Sequence, residues 1–175
     1  MKKKVKKIIA ELRIKKKVKE LGKKVSKDYK DKNPVLVGIL KGSFIFLADL
    51  IRQIKIPHEI DFISVASYGS TTQGSGVVRL LKDLSVNIEG RDVIIVEDVV
   101  DSGLTLNYIK ENLLIRKPRS LEILTLLNKK VRRKVDIPIK YIGFSIPNEF
   151  VVGYGLDLNE DYRYLPYIAK LKSRS

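Results

Sequence analysis

The segment VIIVEDVVDSGLTL, Val93 to Leu106, places three carboxylates within five positions directly behind four unbroken apolar residues. Ionised carboxylates are rarely buried unpaired. At the end of a strand, Glu97, Asp98 and Asp101 can accept hydrogen bonds from sugar hydroxyls or hold a hard cation. The DSGLT that follows (Asp101 to Thr105) precedes a helical stretch. Its backbone N–H groups can converge on an anion, helped by the helix N-terminus. Gly103 lets the backbone approach closely, and Ser102 and Thr105 add hydroxyl donors. Acids for a ribose beside a nest for a phosphate suit a ribose 5-phosphate. DSG alone would be no more than a helix cap; the whole run from strand to Thr105 points to a ligand. No GxxxxGK[ST] occurs and no GxGxxG follows a strand, which argues against triphosphate and dinucleotide sites.

These residues need elements to position them. Val18, Leu21, Val25 and Tyr29 continue a helical stripe from Ile14, with lysines between, and Asn33-Pro34 ends it. VLVGIL (35–40) reads as a buried strand, KGS (41–43) as a tight turn and FIFLADLIRQI (44–54) as a helix. EIDFISVASY (59–68) reads as a strand, GSTTQGSG (69–76) as a polar loop, and VVRLL (77–81) as a strand antiparallel to it. RDVIIVE (91–97) is the next strand, followed by a helix near 106–116 and a strand at 120–127; YIGFSI and FVVGYG are short strand-like pieces. Alternating strands and helices with continuous apolar strands indicate an α/β domain with a mainly parallel central sheet flanked by helices. Ligands collect beyond the carboxyl ends of such strands. Both the 41–43 turn and the 97–105 loop fall there.

Composition supports one domain over 1–175: 44% of the 175 residues are apolar and 31% are charged. There is no cysteine, hence neither a disulfide framework nor a thiolate metal site. No apolar run reaches the roughly 18 residues of a membrane span, and the basic N-terminal stretch lacks the apolar h-region of a signal peptide, so the expected location is the cytoplasm. The net charge is +15, but residues 1–30 hold 14 Lys or Arg against three acids, leaving only +4 on the rest. That asymmetry reads as a solvated helix face, not as a nucleic-acid site.

VIIVEDVVDSGLTL closely resembles the phosphoribosyl pyrophosphate motif of the type I phosphoribosyltransferases. VGILKGSFIFLADL resembles their first pyrophosphate loop, ASYGSTTQGSGVVRLLKDL their mobile loop, and GFSIPNEFVVGYGLDLNEDYRYLPYI their C-terminal base-binding hood. The four blocks come in family order between about residues 35 and 168, and the match is to the bacterial hypoxanthine branch. The resemblance implies that fold, with a small hood formed mainly by 140–170 and part of the N-terminal segment. It implies magnesium-dependent purine salvage from phosphoribosyl pyrophosphate and a 6-oxopurine, in a homo-oligomer of two or four chains.

It also implies residue roles. Glu97 and Asp98 would hold the ribose hydroxyls directly or through magnesium, with Asp157 as a further metal ligand on the purine side. Asp101 would be the general base. Ser102, Gly103, Leu104 and Thr105 would cradle the 5-phosphate. Leu40-Lys41 would carry a non-proline cis peptide, with Lys41 and Gly42 presenting donors to pyrophosphate and Arg163 meeting it as it departs. Lys129 would donate to the 6-oxo group, Phe150 would stack on the purine and the Val151 backbone would read its edge. Ser67 and Tyr68 would open a lid closing over 68–77. Without the resemblance, Lys129 would read as a surface cation, Phe150 as core and His58 as structural. The competing class is an RNA-binding regulator of the same fold, using the basic N-terminal segment.

Overall fold

The computed structural model describes residues 5–68 and 77–171. Nine strands run β1 (Val5–Ile9), β2 (Val35–Leu40), β3 (Glu59–Tyr68), β4 (Val77–Lys82), β5 (Asp92–Val100), β6 (Ser120–Asn128), β7 (Tyr141–Ser145), β8 (Val151–Val152) and β9 (Ile168–Leu171) among those residues. Three α-helices accompany them: α1 (Glu11–Asp28), α2 (Phe44–Ile51) and α3 (Leu104–Leu114).

The main sheet has the order β4-β3-β2-β5-β6-β7. Every neighbouring pair is parallel except β3 and β4, which form an antiparallel edge. Strand side chains alternate between faces, and both faces are covered. Leu36, Ile94, Val96 and Leu124 join the core beneath α1 and α2. Val35, Val37, Val93, Ile95 and Ile123 join the core that includes Leu106, Ile109 and Leu113 of α3. That double cover is why these strands read as continuous apolar runs.

The α1 stripe behaves as its spacing requires. Ile14, Val18, Leu21, Val25 and Tyr29 are buried while Lys16, Lys19, Lys23, Lys24 and Lys27 face outward. Each buried apolar side chain contributes about 1.5–3 kcal/mol, which holds the helix to the sheet despite its unneutralised lysines.

A second sheet, β1-β9-β8, is antiparallel and joins the N-terminal segment to the C-terminal one. The sequence pattern does not anticipate β1 or β9, because VKKII and IAKL become strands only by pairing with each other across the length of the chain. FVVGYG contributes only Val151–Val152 to a strand, since Gly153 and Gly155 take φ of 97° and 98° and turn the backbone away. Helix α2 stops at Ile51, short of Ile54, and α3 starts two residues earlier than expected. His58 hydrogen-bonds the Ile56 carbonyl through Nδ1 at 2.8 Å, a local structural contact. Among the described residues no helix is long and apolar enough to cross a membrane.

Candidate active site

Three carboxyl ends, those of β2, β5 and β6, meet on one side of the sheet. β5 runs on through Val100, so Glu97 and Asp98 lie within the strand and not beyond it. This corrects the expectation that they sit at its open end. Asp98 is 8% exposed. Glu97 Oε2 is buried and has no hydrogen-bond partner. Burial, then the neighbouring Asp98 charge, pushes the Glu97 carboxyl well above the usual carboxylate range. Burial also pushes Asp98 up to about 6, against the pull of the Val99 N–H and Arg163. Val99 N donates to Asp98 Oδ1 at 2.7 Å. Two destabilised carboxylates with an orphaned oxygen suit a partner that brings positive charge or hydroxyl donors.

The β2 turn closes on this pair. The Leu40-Lys41 peptide is cis. Ser43, fully buried, donates to the Ile39 carbonyl at 2.7 Å and fixes the turn. Gly42 lies against Asp98: a Cβ there would stand 1.7 Å from Asp98 Oδ2. Glycine is required because the carboxylate occupies the space a side chain would take.

Behind β5 the chain passes through Asp101, Ser102 and Gly103 into α3. Gly103 has φ 82°, a left-handed conformation that favours glycine. The helical ladder begins with Asn107 N donating to Gly103 O at 2.8 Å. The amides of the first turn therefore stand at an open N-terminus, over Ser102, Leu104 and Thr105. Leu104 N approaches Ser102 Oγ at 3.4 Å. Loop 129–137 supports this cradle from behind: Lys134 N donates to Ser102 O at 2.9 Å, and Arg133 packs against Gly103.

β6 brings Lys129 to the same place. Its side chain is 7% exposed and its Nζ lies 3.5 Å from Asp101 Oδ2. It is therefore not the surface cation that its neighbours suggest. Arg132 Nη1 meets the same oxygen at 3.3 Å, while Asp101 Oδ1 is buried without a partner. Phe150 is 54% exposed, an apolar ring left open to a ligand instead of joining the core, and Val151 beside it is buried.

A cavity of about 280 Å³ is lined by Val99, Asp101, Lys129, Phe150, Val151 and Asp157, among others. A larger hollow of about 510 Å³ lies at the opposite, amino ends of β5 and β6. Several of its charges are paired: Ser120 Oγ donates to Asp92 at 2.6 Å, Arg119 pairs with Asp92, and Lys140 pairs with Glu122 at 3.2 Å. The smaller cavity is the one that gathers Asp101, Lys129, Phe150 and Asp157, and it is the candidate site.

The loop after β8 completes the rim. Arg163 Nη2 pairs with Asp157 Oδ1 at 2.9 Å, and Nη1 donates to Gly155 O at 2.6 Å. Lys41 pairs with Glu160 at 3.0 Å. Ser67 and Tyr68 end β3, paired through the backbone with Val78 and Val77. Of the lid expected over 68–77, residues 69–76 lie outside the described residues. Among the described residues no group of three or more His, Asp or Glu is placed to hold a metal. A cation at Glu97 and Asp98, or at Asp157, would need oxygens from the ligand as well.

Sequence reasoning passed over Arg132, Arg133 and Glu160. The cationic run 129–133 is visible in the sequence, but only the fold turns three of its members, Lys129, Arg132 and Arg133, onto the 101–103 loop.

A family model described as the phosphoribosyl transferase domain matches residues 4–159. The hypoxanthine-guanine phosphoribosyltransferase of Dictyostelium discoideum is 53% identical over 169 residues, covering 94% of each chain. The hypoxanthine phosphoribosyltransferase of Escherichia coli (strain K12) is 51% identical over 98% of this chain and 97% of its own. The crystal structure of a hypoxanthine-guanine phosphoribosyltransferase from Bacillus anthracis, with HEPES in its active site, superposes with a TM-score of 0.93 at 50% identity. That match covers 98% of this chain and all of the other.

Proposed function

We propose the residue roles below on the premise that the chain belongs to the phosphoribosyl transferase family. It is a purine-salvage enzyme that moves the 5-phosphoribosyl group of phosphoribosyl pyrophosphate onto hypoxanthine or guanine and releases pyrophosphate. The observation that carries the assignment is the pair Asp101 and Lys129 facing one cavity under Phe150.

In this reading the α3 N-terminus, with Ser102 to Thr105, holds the 5-phosphate. Glu97 and Asp98 take the ribose hydroxyls. Phe150 stacks on the purine, Val151 reads its edge through the backbone, and Lys129 donates to the 6-oxo group. The imidazole nitrogen of the base attacks the anomeric carbon. Its proton passes to Asp101, whose Oδ1 has no competing donor, as the bond from that carbon to the pyrophosphate oxygen breaks. Electron density withdrawn through the 6-oxo group by Lys129 makes that proton easier to remove. Positive charge builds on the ribose close to the carboxylates of β5, and Lys41, Gly42 and Arg163 receive the leaving group.

Magnesium fits the donor set: the orphaned Glu97 oxygen, Asp98 and Asp157 are hard oxygen ligands of the kind it takes together with substrate oxygens. When bound it neutralises charge on the departing pyrophosphate. The same reading holds 1–175 as one domain with a hood, a lid begun by Ser67 and Tyr68, a cytoplasmic location and assembly into a homodimer or homotetramer.

The direct test mixes the protein, magnesium, phosphoribosyl pyrophosphate and each purine in turn, and measures mononucleotide. Formation of inosine or guanosine monophosphate is expected. Product of neither kind, with the ligands shown to bind, would remove the assignment of these residues to catalysis.

A further inference from the structure

The two cations assigned above to pyrophosphate are already held by a carboxylate of the chain itself. Glu160 Oε1 lies 3.0 Å from Lys41 Nζ, and its Oε2 lies 3.3 Å from Arg163 Nη2. Lys41 follows β2 of the main sheet, whereas Glu160 and Arg163 lie in the loop between β8 and β9 of the small one. One side chain therefore ties the two sheets across the mouth of the site. Its backbone is fixed in turn: Glu160 N donates to Asp157 Oδ2 at 2.8 Å, with φ at 64°. A non-glycine residue adopts that left-handed conformation uncommonly.

We propose that Glu160 is a positioning residue that stands in for pyrophosphate oxygens in the ligand-free protein, gathering Lys41 and Arg163 and then competing with pyrophosphate for both. The inference rests on the pyrophosphate roles given to Lys41 and Arg163 above. A carboxylate bridging an ammonium and a guanidinium mimics the charge and spacing of a bridging phosphate oxygen pair. The side chains of Lys41 and Glu160 are 66% and 64% exposed, so exchange of one anion for the other requires no burial. An exposed pair shifts an equilibrium by about 1.4- to 5-fold. That is too little to block binding, yet enough to hasten release where product departure limits turnover.

Glu160→Gln keeps the shape and hydrogen-bonding capacity while removing the charge. Calorimetry with magnesium pyrophosphate on the parent, Glu160→Gln, Lys41→Met and the double variant measures the competition. Glu160→Gln is expected to bind pyrophosphate about two- to fivefold more tightly, and to bind phosphoribosyl pyrophosphate more tightly as well. Pyrophosphate should then inhibit turnover more strongly. The gain should shrink at high salt and in the Lys41→Met background, with hypoxanthine affinity unmoved; a merely structural role would not tighten pyrophosphate binding. Pyrophosphate binding that is unchanged or weaker in Glu160→Gln, while Lys41→Met is weakened, overturns the competition and leaves the Lys41 assignment standing. Unaltered binding in Lys41→Met removes that assignment and this proposal with it.

Discussion

Lys129 Nζ stands 3.5 Å from Asp101 Oδ2, and the partner oxygen Oδ1 is buried with nothing bonded to it. The parallel register of β5 with β6 produces this meeting: Val100 lies opposite Asn128, so the next residue on each strand is Asp101 or Lys129. A carboxylate that lines the cavity with one oxygen claimed by no donor is arranged to accept a proton.

Replacing that acceptor separates chemistry from binding. Asp101→Asn should lower kcat by about 10²–10⁴, the usual contribution of a positioned general base. Affinity for phosphoribosyl pyrophosphate, whose 5-phosphate we assign to the amides of α3, should change little. Single-turnover kinetics alongside equilibrium binding read both, and an unaltered turnover rate would take Asp101 out of the role.

Lys129 makes a charged hydrogen bond in a nearly closed place. Lys129→Met should weaken hypoxanthine binding by roughly 10- to 100-fold, corresponding to about 1.5–3 kcal/mol for a charged hydrogen bond. Binding of the sugar phosphate should be spared. Titration with each ligand separately is the check; equal losses for both would place Lys129 elsewhere in the mechanism.

Gly42 tests the closeness of the β2 turn to β5. A methyl group there would overlap Asp98 Oδ2, forcing the turn or the carboxylate to move at a cost of about 1–3 kcal/mol. Gly42→Ala should therefore melt lower and bind phosphoribosyl pyrophosphate less well, with hypoxanthine binding retained. A thermal melt at the parent temperature with full affinity would show that the turn yields freely.

Asp98 makes stability depend on pH in the direction opposite to a salt-bridged acid. Its folded pKa is raised to about 6, above the roughly 3.9 of an unfolded aspartate. Below pH about 4 both states hold the proton and no penalty exists. As pH rises from there to about 6 the unfolded chain ionises first, and stability is lost, by at most about 3 kcal/mol. The raised Glu97 carboxyl acts in the same sense. Ligand-free Asp98→Asn should accordingly melt above the parent at pH 7.5 and level with it near pH 4, while binding magnesium phosphoribosyl pyrophosphate less well. Identical melting curves at both pH values would show that Asp98 carries no buried-charge penalty.

Much of the site was readable because it is local. VIIVEDVVDSGLTL holds the strand, the acids, the turn glycine and the helix start in one stretch, and their order alone implies acids beside an anion cradle. Phe150 and Lys129 were readable only through the pattern around them. By residue type the first looked like core and the second like surface, and the fold reverses both.

Spacing over a few residues is enough to carry the α/β alternation, the apolar strands, the buried stripe of α1 and the carboxylate-to-glycine run. Long-range packing supplied everything else. It paired β1 with β9, set Glu97 and Asp98 inside β5 with Asp98 buried, set Lys129 against Asp101, and drew Lys41 to Glu160 across 119 positions of chain. Burial and charge pairing at that separation follow from strand register and from how the two sheets close on each other, and no short-range pattern encodes either.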